Sequence, residues 1–151
     1  MPADLKLLRS DIREKAIAHK AACAEKGIDL LIYCTLRSLA DQAAQYAIGR
    51  TVVGEYPSVD RPMGRITTNA QPGQSAHNPQ SDGFAVGYDC VPLRNGRPVW
   101  DTKSPDNAAL WELVGSLGEV AGLSWSGRWV GSLREMAHFQ AKDFKSPHTV
   151  S

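Results

Sequence analysis

The order of apolar patterns along the chain limits its fold more than any other feature of the sequence. Residues 4–26 repeat apolar side chains every three to four positions, which predicts an amphipathic helix that ends at Gly27. Residues 28–34 (IDLLIYC) form a nearly continuous apolar run, which predicts a buried strand. A second helix is predicted over residues 39–48, with Ser38 as its N-cap. The chain therefore begins with a helix, a strand and a second helix.

The middle of the chain changes character. Residues 50–74 are rich in proline and glycine and predict a long loop around a short strand near residues 66–68. A loop of this length inside a compact domain is more often functional than not. Residues 84–91 predict a strand, and Asn95-Gly96 predicts a turn into a return strand through residues 99–100.

A third helix is predicted after Ser104, its N-cap, with Pro105 at the first helical position. Trp111 is expected in the core. The inner stripe of this helix is predicted to consist of Leu110, Leu113, Val114, Leu117, Val120 and Ala121. A closing strand is predicted over residues 137–140. This order indicates an α+β fold, with helices packed on a mostly antiparallel sheet in one domain over residues 1–151.

Composition gives no support to several classes of function. The 17 basic and 16 acidic residues leave a net charge of +1, and no basic run indicates nucleic-acid binding. No segment approaches the ~18 apolar residues of a membrane span, so we expect no stable membrane association. The N-terminus lacks the pattern of a signal peptide, and the three distant cysteines (Cys23, Cys34, Cys90) indicate reduced, apolar thiols made in a cytosol. We expect a monomer.

Two of the four histidines are candidates for chemistry. His19 follows the polar face of the first helix and is predicted to face water, and His148 lies in a polar tail. His77 lies instead in a loop that leads into a predicted strand, and His138 lies in the closing strand. His77 and His138 are therefore the two histidines to consider, together with nearby acidic residues, as members of one site.

Asp89 stands in an apolar stretch, FAVGYDCVP. A carboxylate among buried neighbours is costly unless it is paired, hydrogen-bonded or bound to a metal. The alternative is a structural aspartate held by a backbone turn or an arginine. Cys90 directly follows and is a second possible ligand, because a thiolate suits zinc.

Glu135 precedes His138 by three positions. An odd offset places two strand residues on opposite faces, so Glu135 must lie in the turn ahead of the strand if both are to reach one site. The alternative is a core histidine beside a solvated glutamate. Two histidines and an aspartate can supply three ligands to a zinc ion and leave a position for water, whose proton a non-ligand glutamate can accept.

The motifs Ser75-x-His77, Asp89 and Glu135-x-x-His138 resemble the signature of the zinc D-Ala-D-Ala and L-alanyl-D-glutamate peptidases, S-x-H, A-x-D and E- or D-x-x-H. Family members share their fold with lysostaphin-type and hedgehog-type domains. The resemblance implies one zinc ion per chain, held by His77, Asp89 and His138, with Glu135 as the base.

Further likeness covers the catalytic core, about residues 30–140. Residues 35–50 resemble the arginine-bearing turn and helix of the family, and residues 67–78 and 123–129 resemble the bacteriophage endolysin branch. By this resemblance Arg37 stabilises the oxyanion, although a surface ion pair is the alternative.

The resemblance also assigns substrate contacts. It implies that Ser75 binds substrate or orients the site. Trp125 and Trp129 are candidates for the wall of the substrate groove, or else for core packing. These three residues are the predicted substrate-binding set.

The spacing of the aspartate departs from the family. Asp89 follows His77 by twelve residues, where the family usually has seven, and the additional residues are expected in 79–83. Gly87 stands where the family usually has alanine. Asp82, in a polar turn, is the competing ligand.

The resemblance implies hydrolysis of peptidoglycan stem peptides, with the L-Ala–D-Glu bond as the expected target. It further implies a phage endolysin, made in the host cytoplasm and released to the cell wall through holin pores to lyse the host. Three alternatives stay open: a D-Ala-D-Ala carboxypeptidase, a noncatalytic zinc domain, and a structural phage protein.

Overall fold

The structure, a computed structural model, describes residues 2–131 and 134–144. Its elements in chain order are a 3₁₀ turn (Leu5–Leu7), α1 (Ser10–Glu25), β1 (Asp29–Cys34), α2 (Leu39–Ala47), β2 (Gly87–Arg94), β3 (Arg97–Pro98), α3 (Pro105–Val120), β4 (Ser124–Trp125), a second 3₁₀ turn (Ser126–Arg128) and β5 (His138–Gln140). The three helices and an antiparallel sheet confirm the predicted α+β fold. Within the described ranges, none of the helices has the length and apolar character needed to cross a bilayer.

Strand β2 is the centre of the sheet. The strand order is β1-β2-β5-β4, and β3 also pairs with β2. One edge of β2 pairs with β1, while the other pairs with β5 at one end and with β3 at the other, all antiparallel. In this register Asp89 lies opposite Cys34 on one side and opposite His138 on the other. The backbone ladder therefore brings three distant parts of the chain into one row.

Helix α1 turns one stripe of side chains into the core. Ile12, Ala16, His19 and Cys23 are its buried residues, at the spacing of a single helical face. The prediction that His19 faces water is therefore wrong. Its ring accepts a hydrogen bond from the Tyr88 hydroxyl at Nδ1 (2.7 Å) and donates from Nε2 to the carbonyl of Val114 (2.8 Å). A histidine can be buried here because both ring nitrogens have partners.

Helix α3 packs through glycines as well as through part of the predicted apolar stripe, since Val114 is buried and Leu110 and Leu117 pack against the core. A Cβ on Gly115 would lie 2.3 Å from the ring of Trp125, and one on Gly118 would lie 2.4 Å from the ring of Phe139. Val120, predicted to face inward, is 84% exposed. The two glycines allow large rings to approach the helix, so the buried face is rotated towards Trp111 and Val114. The placement of Trp111 in the core is confirmed.

Several boundaries differ from the sequence expectations. Strand β1 is buried on one face only, because Leu30 and Ile32 are buried whereas Leu31 is 41% exposed. Residues 66–68 have no sheet partner, although a short strand was predicted there. The long loop instead folds back on itself through backbone hydrogen bonds such as Gly54 N to Met63 O (2.8 Å). The predicted N-cap of α2 is confirmed, because Ser38 Oγ accepts a hydrogen bond from Asp41 N (3.0 Å).

Candidate active site

A cavity of about 870 Å³ opens over one end of the sheet. Its floor, called here the site floor, consists of His77, Asp89 and His138. Residues 61–70 of the long loop, called here the loop wall, line the same cavity. The structure thus brings the three predicted ligands together beneath the loop that the sequence indicated as functional.

Asp89 and His138 meet because the sheet register pairs them. They are direct partners across β2 and β5, so their side chains project from the same face. The distance from Asp89 Oδ1 to His138 Nδ1 is 2.9 Å, although 49 residues separate the two along the chain. The pairing of β2 with β5 therefore positions two of the three residues of the site floor.

His77 reaches the same carboxylate oxygen from a loop. Its Nε2 lies 3.0 Å from Asp89 Oδ1. The loop is held by the Ser75 hydroxyl, which accepts from His77 N (3.1 Å), and by Asn78 Oδ1, which accepts from Ser75 N (3.2 Å). Arg37 N also donates to the carbonyl of His77 (2.7 Å), which ties the loop to the turn after β1.

In each ring, the nitrogen that does not face Asp89, called here the outer nitrogen, lies within hydrogen-bond distance of an oxygen acceptor. His77 Nδ1 lies 2.8 Å from the carbonyl of Thr35, and His138 Nε2 lies 2.8 Å from Oε1 of Gln140. Because these oxygens can only accept, each outer nitrogen carries the hydrogen. A neutral imidazole then turns a lone pair inward, and two such lone pairs face one oxygen of Asp89. Positive charge between these three atoms, whether it comes from protons or from a metal ion, therefore stabilises the site.

The electrostatics of the site floor agree with this requirement. Burial alone lowers the pKa of His77, but the charge of Asp89 and the hydrogen bond to it outweigh burial and raise the pKa to about 10. Burial likewise opposes ionisation of Asp89, yet the two imidazoles hold the pKa of its carboxyl well below the ordinary value. The site floor therefore stabilises positive charge strongly.

The donor set fits a metal ion. Nitrogen ligands at about 2.0–2.1 Å from a tetrahedral ion lie about 3.3 Å from one another. The 2.9 and 3.0 Å separations of the two imidazole nitrogens from Asp89 Oδ1 are close to that spacing, so each histidine can share an ion with Asp89.

Cys34, His77 and Asp89 form a second, overlapping group that could hold a metal, with one ligand atom from each residue within 4.8 Å of the others. Cys34 Sγ, however, lies 3.7 Å from His77 Nδ1, the nitrogen that donates to Thr35. His138 and Asp89 instead surround the inward-facing side of the ring. We therefore favour His138 over Cys34 as the third ligand.

Glu135 lies in the turn ahead of β5, as the odd spacing required. The Ser126 hydroxyl donates to the carbonyls of Glu135 and His138, the latter at 3.1 Å, and Glu135 N donates to Ser126 O (3.3 Å). The glutamate is exposed in surface area because it faces the open cavity. Desolvation by the surrounding protein and the charge of Asp89 raise the pKa of its carboxyl. A carboxyl of raised pKa suits proton transfer near neutral pH.

Arg37 lines the same cavity from the turn after β1. Its Nη1 donates to Gln42 Oε1 (3.0 Å), and Gln42 Nε2 donates to the carbonyl of Ala70 (2.7 Å). Gln42 is the buried residue of α2 and links the arginine to the loop wall. The positive charge of Arg37 acts on Glu135 across the cavity.

Of the three predicted substrate-binding residues, two line the cavity and one does not. Ser75 and Trp129 line the cavity, and the Trp129 ring lies 6.2 Å from that of His138. Trp125 does not line it. That ring is 2% exposed and stacks on Phe139, so of the two interpretations offered for Trp125 the structure supports core packing.

The competing ligands lie elsewhere. Asp82 is exposed, and its Oδ1 accepts from Phe84 N (3.0 Å) to hold the turn before β2. Cys90 belongs to the apolar core cluster, and all three cysteines are buried and free. His148 lies outside the described residues.

Sequence reasoning assigned no role to four polar residues that hold the site. Gln42, Asn78, Gln140 and the carbonyl of Thr35 position Arg37, His77 or His138. Thr35, Gln42 and Asn78 lie in stretches that were noted only for the family resemblance. A signal was available for Gln140, since it lies two positions from His138 and so on the same face of a strand.

The fold and the site define a class: an α+β domain whose antiparallel sheet carries a carboxylate between two imidazoles at the floor of an open groove. No family model matches the chain. The chain is 31% identical over 132 residues to the peptidoglycan L-alanyl-D-glutamate endopeptidase CwlK of Bacillus subtilis (strain 168). The aligned region covers 85% of this chain and 69% of that protein. The chain belongs to this family of peptidoglycan peptidases.

A solved structure supports the fold. The crystal structure of the Serratia marcescens L-Ala D-Glu endopeptidase ChiX superposes with a TM-score of 0.55 at 15% identity. The match covers 91% of this chain and 82% of that chain. At this identity the likeness concerns the fold alone.

Proposed function

We propose that this protein is a zinc-dependent endopeptidase that hydrolyses the L-Ala–D-Glu bond of peptidoglycan stem peptides. The observation that carries the proposal is the approach of His77 Nε2 and His138 Nδ1 to one oxygen of Asp89 at the floor of an open groove. The choice of bond is supported by the activity for which CwlK is named.

The donor set supports zinc as the ion. Two imidazole nitrogens and one carboxylate oxygen are a ligand set of catalytic zinc sites, which keep a fourth position for water or substrate. When bound, zinc supplies a water of pKa about 7 and polarises the carbonyl of the bond to be cut.

Two side chains of the cavity perform the proton transfer and charge stabilisation. Glu135 accepts the proton of the attacking water and passes it to the leaving amine, because its carboxyl faces the cavity with a raised pKa. Arg37 lines the same cavity and stabilises the negative charge that develops on the carbonyl oxygen. Its guanidinium stays charged throughout the working pH range.

The charge of the groove supports an anionic substrate. Arg61 and Arg65 of the loop wall and Arg134 beside Glu135 line the cavity and are exposed. Stem peptides contain D-glutamate and therefore carry carboxylates. Cationic side chains around the entrance favour their approach.

The proposal is tested with Glu135→Ala on purified peptidoglycan. We expect this variant to keep one zinc ion per chain and to lose about 10²–10⁴-fold in rate. Mass spectrometry of the products identifies the bond, since cleavage at L-Ala–D-Glu leaves a new D-Glu amino terminus. Release of terminal D-alanine would show the carboxypeptidase instead, and unchanged clearing by Glu135→Ala would exclude the mechanism.

For the biological role we propose a phage endolysin that acts on the cell wall after holin-mediated release from the host cytoplasm. The resemblance of residues 67–78 and 123–129 to that branch supports it. Expression of the chain in a host bearing a prophage without its own endolysin tests the role. Lysis that requires both an intact holin and Glu135 is expected, and absence of lysis with active enzyme present would contradict it.

A further inference from the structure

We infer that Gln140 is a positioning residue that fixes the tautomer of His138, so that Nδ1 is the nitrogen presented to the ion. The inference rests on the proposed function. Gln140 Oε1 lies 2.8 Å from His138 Nε2, and the two residues are 5% and 7% exposed. Water therefore does not readily replace the amide as the partner of that nitrogen.

Strand geometry places the amide beside the ring. Gln140 and His138 are two positions apart on β5, so their side chains share a face. On the neighbouring strand Gly87 is the direct partner of Gln140. A Cβ at Gly87 would lie 2.8 Å from Cβ of Ala76 and 3.2 Å from Cε1 of His138. Ala76, the Phe139 carbonyl and the edge of the imidazole occupy the space left by the missing side chain, so the ring is closely packed on this side.

The tautomer matters because a competing state exists. If Nδ1 carried the hydrogen, it would donate to Asp89 Oδ1 at the observed 2.9 Å, a strong hydrogen bond to a carboxylate. That bond would occupy both the nitrogen and the oxygen needed by the ion. An acceptor at Nε2 draws the hydrogen to the other side of the ring and keeps the lone pair of Nδ1 inward.

The backbone carbonyl of Thr35 fixes the tautomer of His77 in the same way, because it accepts the hydrogen of Nδ1. The comparison explains why a side chain matters at one histidine and not at the other. The backbone acceptor cannot be removed by substitution, whereas the amide of Gln140 can. Gln140 is therefore the position at which this control can be tested.

The test compares Gln140→Leu, which removes the acceptor at similar size, with Gln140→Glu, which keeps an acceptor oxygen. Gln80→Leu is the matched control, because Gln80 lies outside the cavity lining. Zinc affinity is measured by competition with a chromophoric chelator. We expect Gln140→Leu to bind zinc about 10–100-fold more weakly, and Gln140→Glu and Gln80→Leu to stay near the wild type.

A second measurement begins with the wild-type protein. In zinc-loaded wild-type protein, ¹H–¹⁵N spectra should show a slowly exchanging Nε2–H on His138 and no hydrogen on Nδ1. A hydrogen on Nδ1 would overturn the inference. The same signal should be lost or exchange rapidly in Gln140→Leu.

Kinetics at saturating zinc distinguish positioning from substrate binding. We expect Gln140→Leu to approach the wild-type KM once zinc is saturating. A raised KM with unchanged zinc affinity would overturn the inference and make Gln140 a substrate contact. Normal zinc binding and cleavage in Gln140→Leu would overturn it while the proposed function stands, and a wild-type protein that binds no zinc would overturn both.

Discussion

The site floor and the loop wall are built by different means. The pair Asp89 and His138 is set by the register of β2 and β5, and both residues are almost fully buried. The loop wall has no sheet ladder across residues 61–70 and exposes Arg61, Arg65 and Ile66. Groups that must be positioned precisely for chemistry lie on rigid strands, and groups that select a substrate lie on loops. The comparison indicates that substitutions in the floor abolish chemistry, whereas those in the loop wall alter substrate binding.

The largest effect is expected for Asp89→Asn. The amide loses the charge that both imidazoles face, so zinc binding should weaken by more than the 10–100-fold typical of residues that only orient ligands. Peptidase activity should fall with it. Asp82→Asn is the matched control, since Asp82 only holds a turn. Zinc content by mass spectrometry and activity on peptidoglycan measure both, and greater loss in Asp82→Asn would reverse the assignment of the ligand.

Gly115→Ala should destabilise the support beneath the floor. A Cβ there would lie 2.3 Å from the Trp125 ring, and overpacking of this kind costs about 1–3 kcal/mol. Thermal and urea unfolding measure the loss. Val120→Ala on the same helix is the control and should change stability by less than about 0.5 kcal/mol, because Val120 is exposed. Equal losses in both variants would contradict the observed orientation of α3.

His19 makes stability depend on pH without taking part in the site. Burial lowers the pKa of its imidazole below 6.5, although the bond to Val114 opposes this. The unfolded chain therefore binds more protons between the folded pKa and about pH 6.5, and the free energy of unfolding falls as the pH falls from about 6.5 to the folded pKa. The contribution is fully present above pH 6.5. It can change by at most about 1.4 kcal/mol per pH unit.

The variant His19→Gln isolates this contribution. Urea unfolding of wild type and variant between pH 7 and pH 5 should show a smaller loss of stability in His19→Gln. Parallel curves for the two proteins would show that His19 titrates alike in the folded and unfolded states.

The sequence predicted the site floor better than its surroundings, for a physical reason. His77, Asp89 and Glu135-x-x-His138 carry chemistry in their side chains, so residue type and spacing could single them out. The odd spacing of Glu135 and His138 even required the turn that the structure contains. The fold class followed from apolar periodicity, since that pattern decides which face of an element is buried.

The errors lie where tertiary packing decides. His19 belongs to the buried stripe of α1 by spacing, but its partners Tyr88 and Val114 come from distant segments. The apolar stripe predicted on α3 was wrong at Leu113 and Val120, because the glycines that admit Trp125 and Phe139 carry no apolar signal of their own. Gln140 was missed as a functional residue: its spacing from His138 placed it on the same strand face, but an amide acquires its role only from the nitrogen that it faces.

The smallest effect is expected in the loop wall, for Arg65→Ala. Arg65 is exposed at the cavity, and its backbone N–H holds the loop by donating to Glu55 O (2.7 Å), a bond that the substitution keeps. We expect KM for stem peptides to rise a few-fold while kcat is unchanged, because uniform binding is lost without a change in transition-state contacts. The wild-type KM should also rise with salt more steeply than that of the variant, since exposed charges are screened. A fall in kcat with unchanged KM would show that Arg65 takes part in the chemistry, as the site floor does. It would contradict the assignment of substrate binding to the loop wall and of chemistry to the site floor.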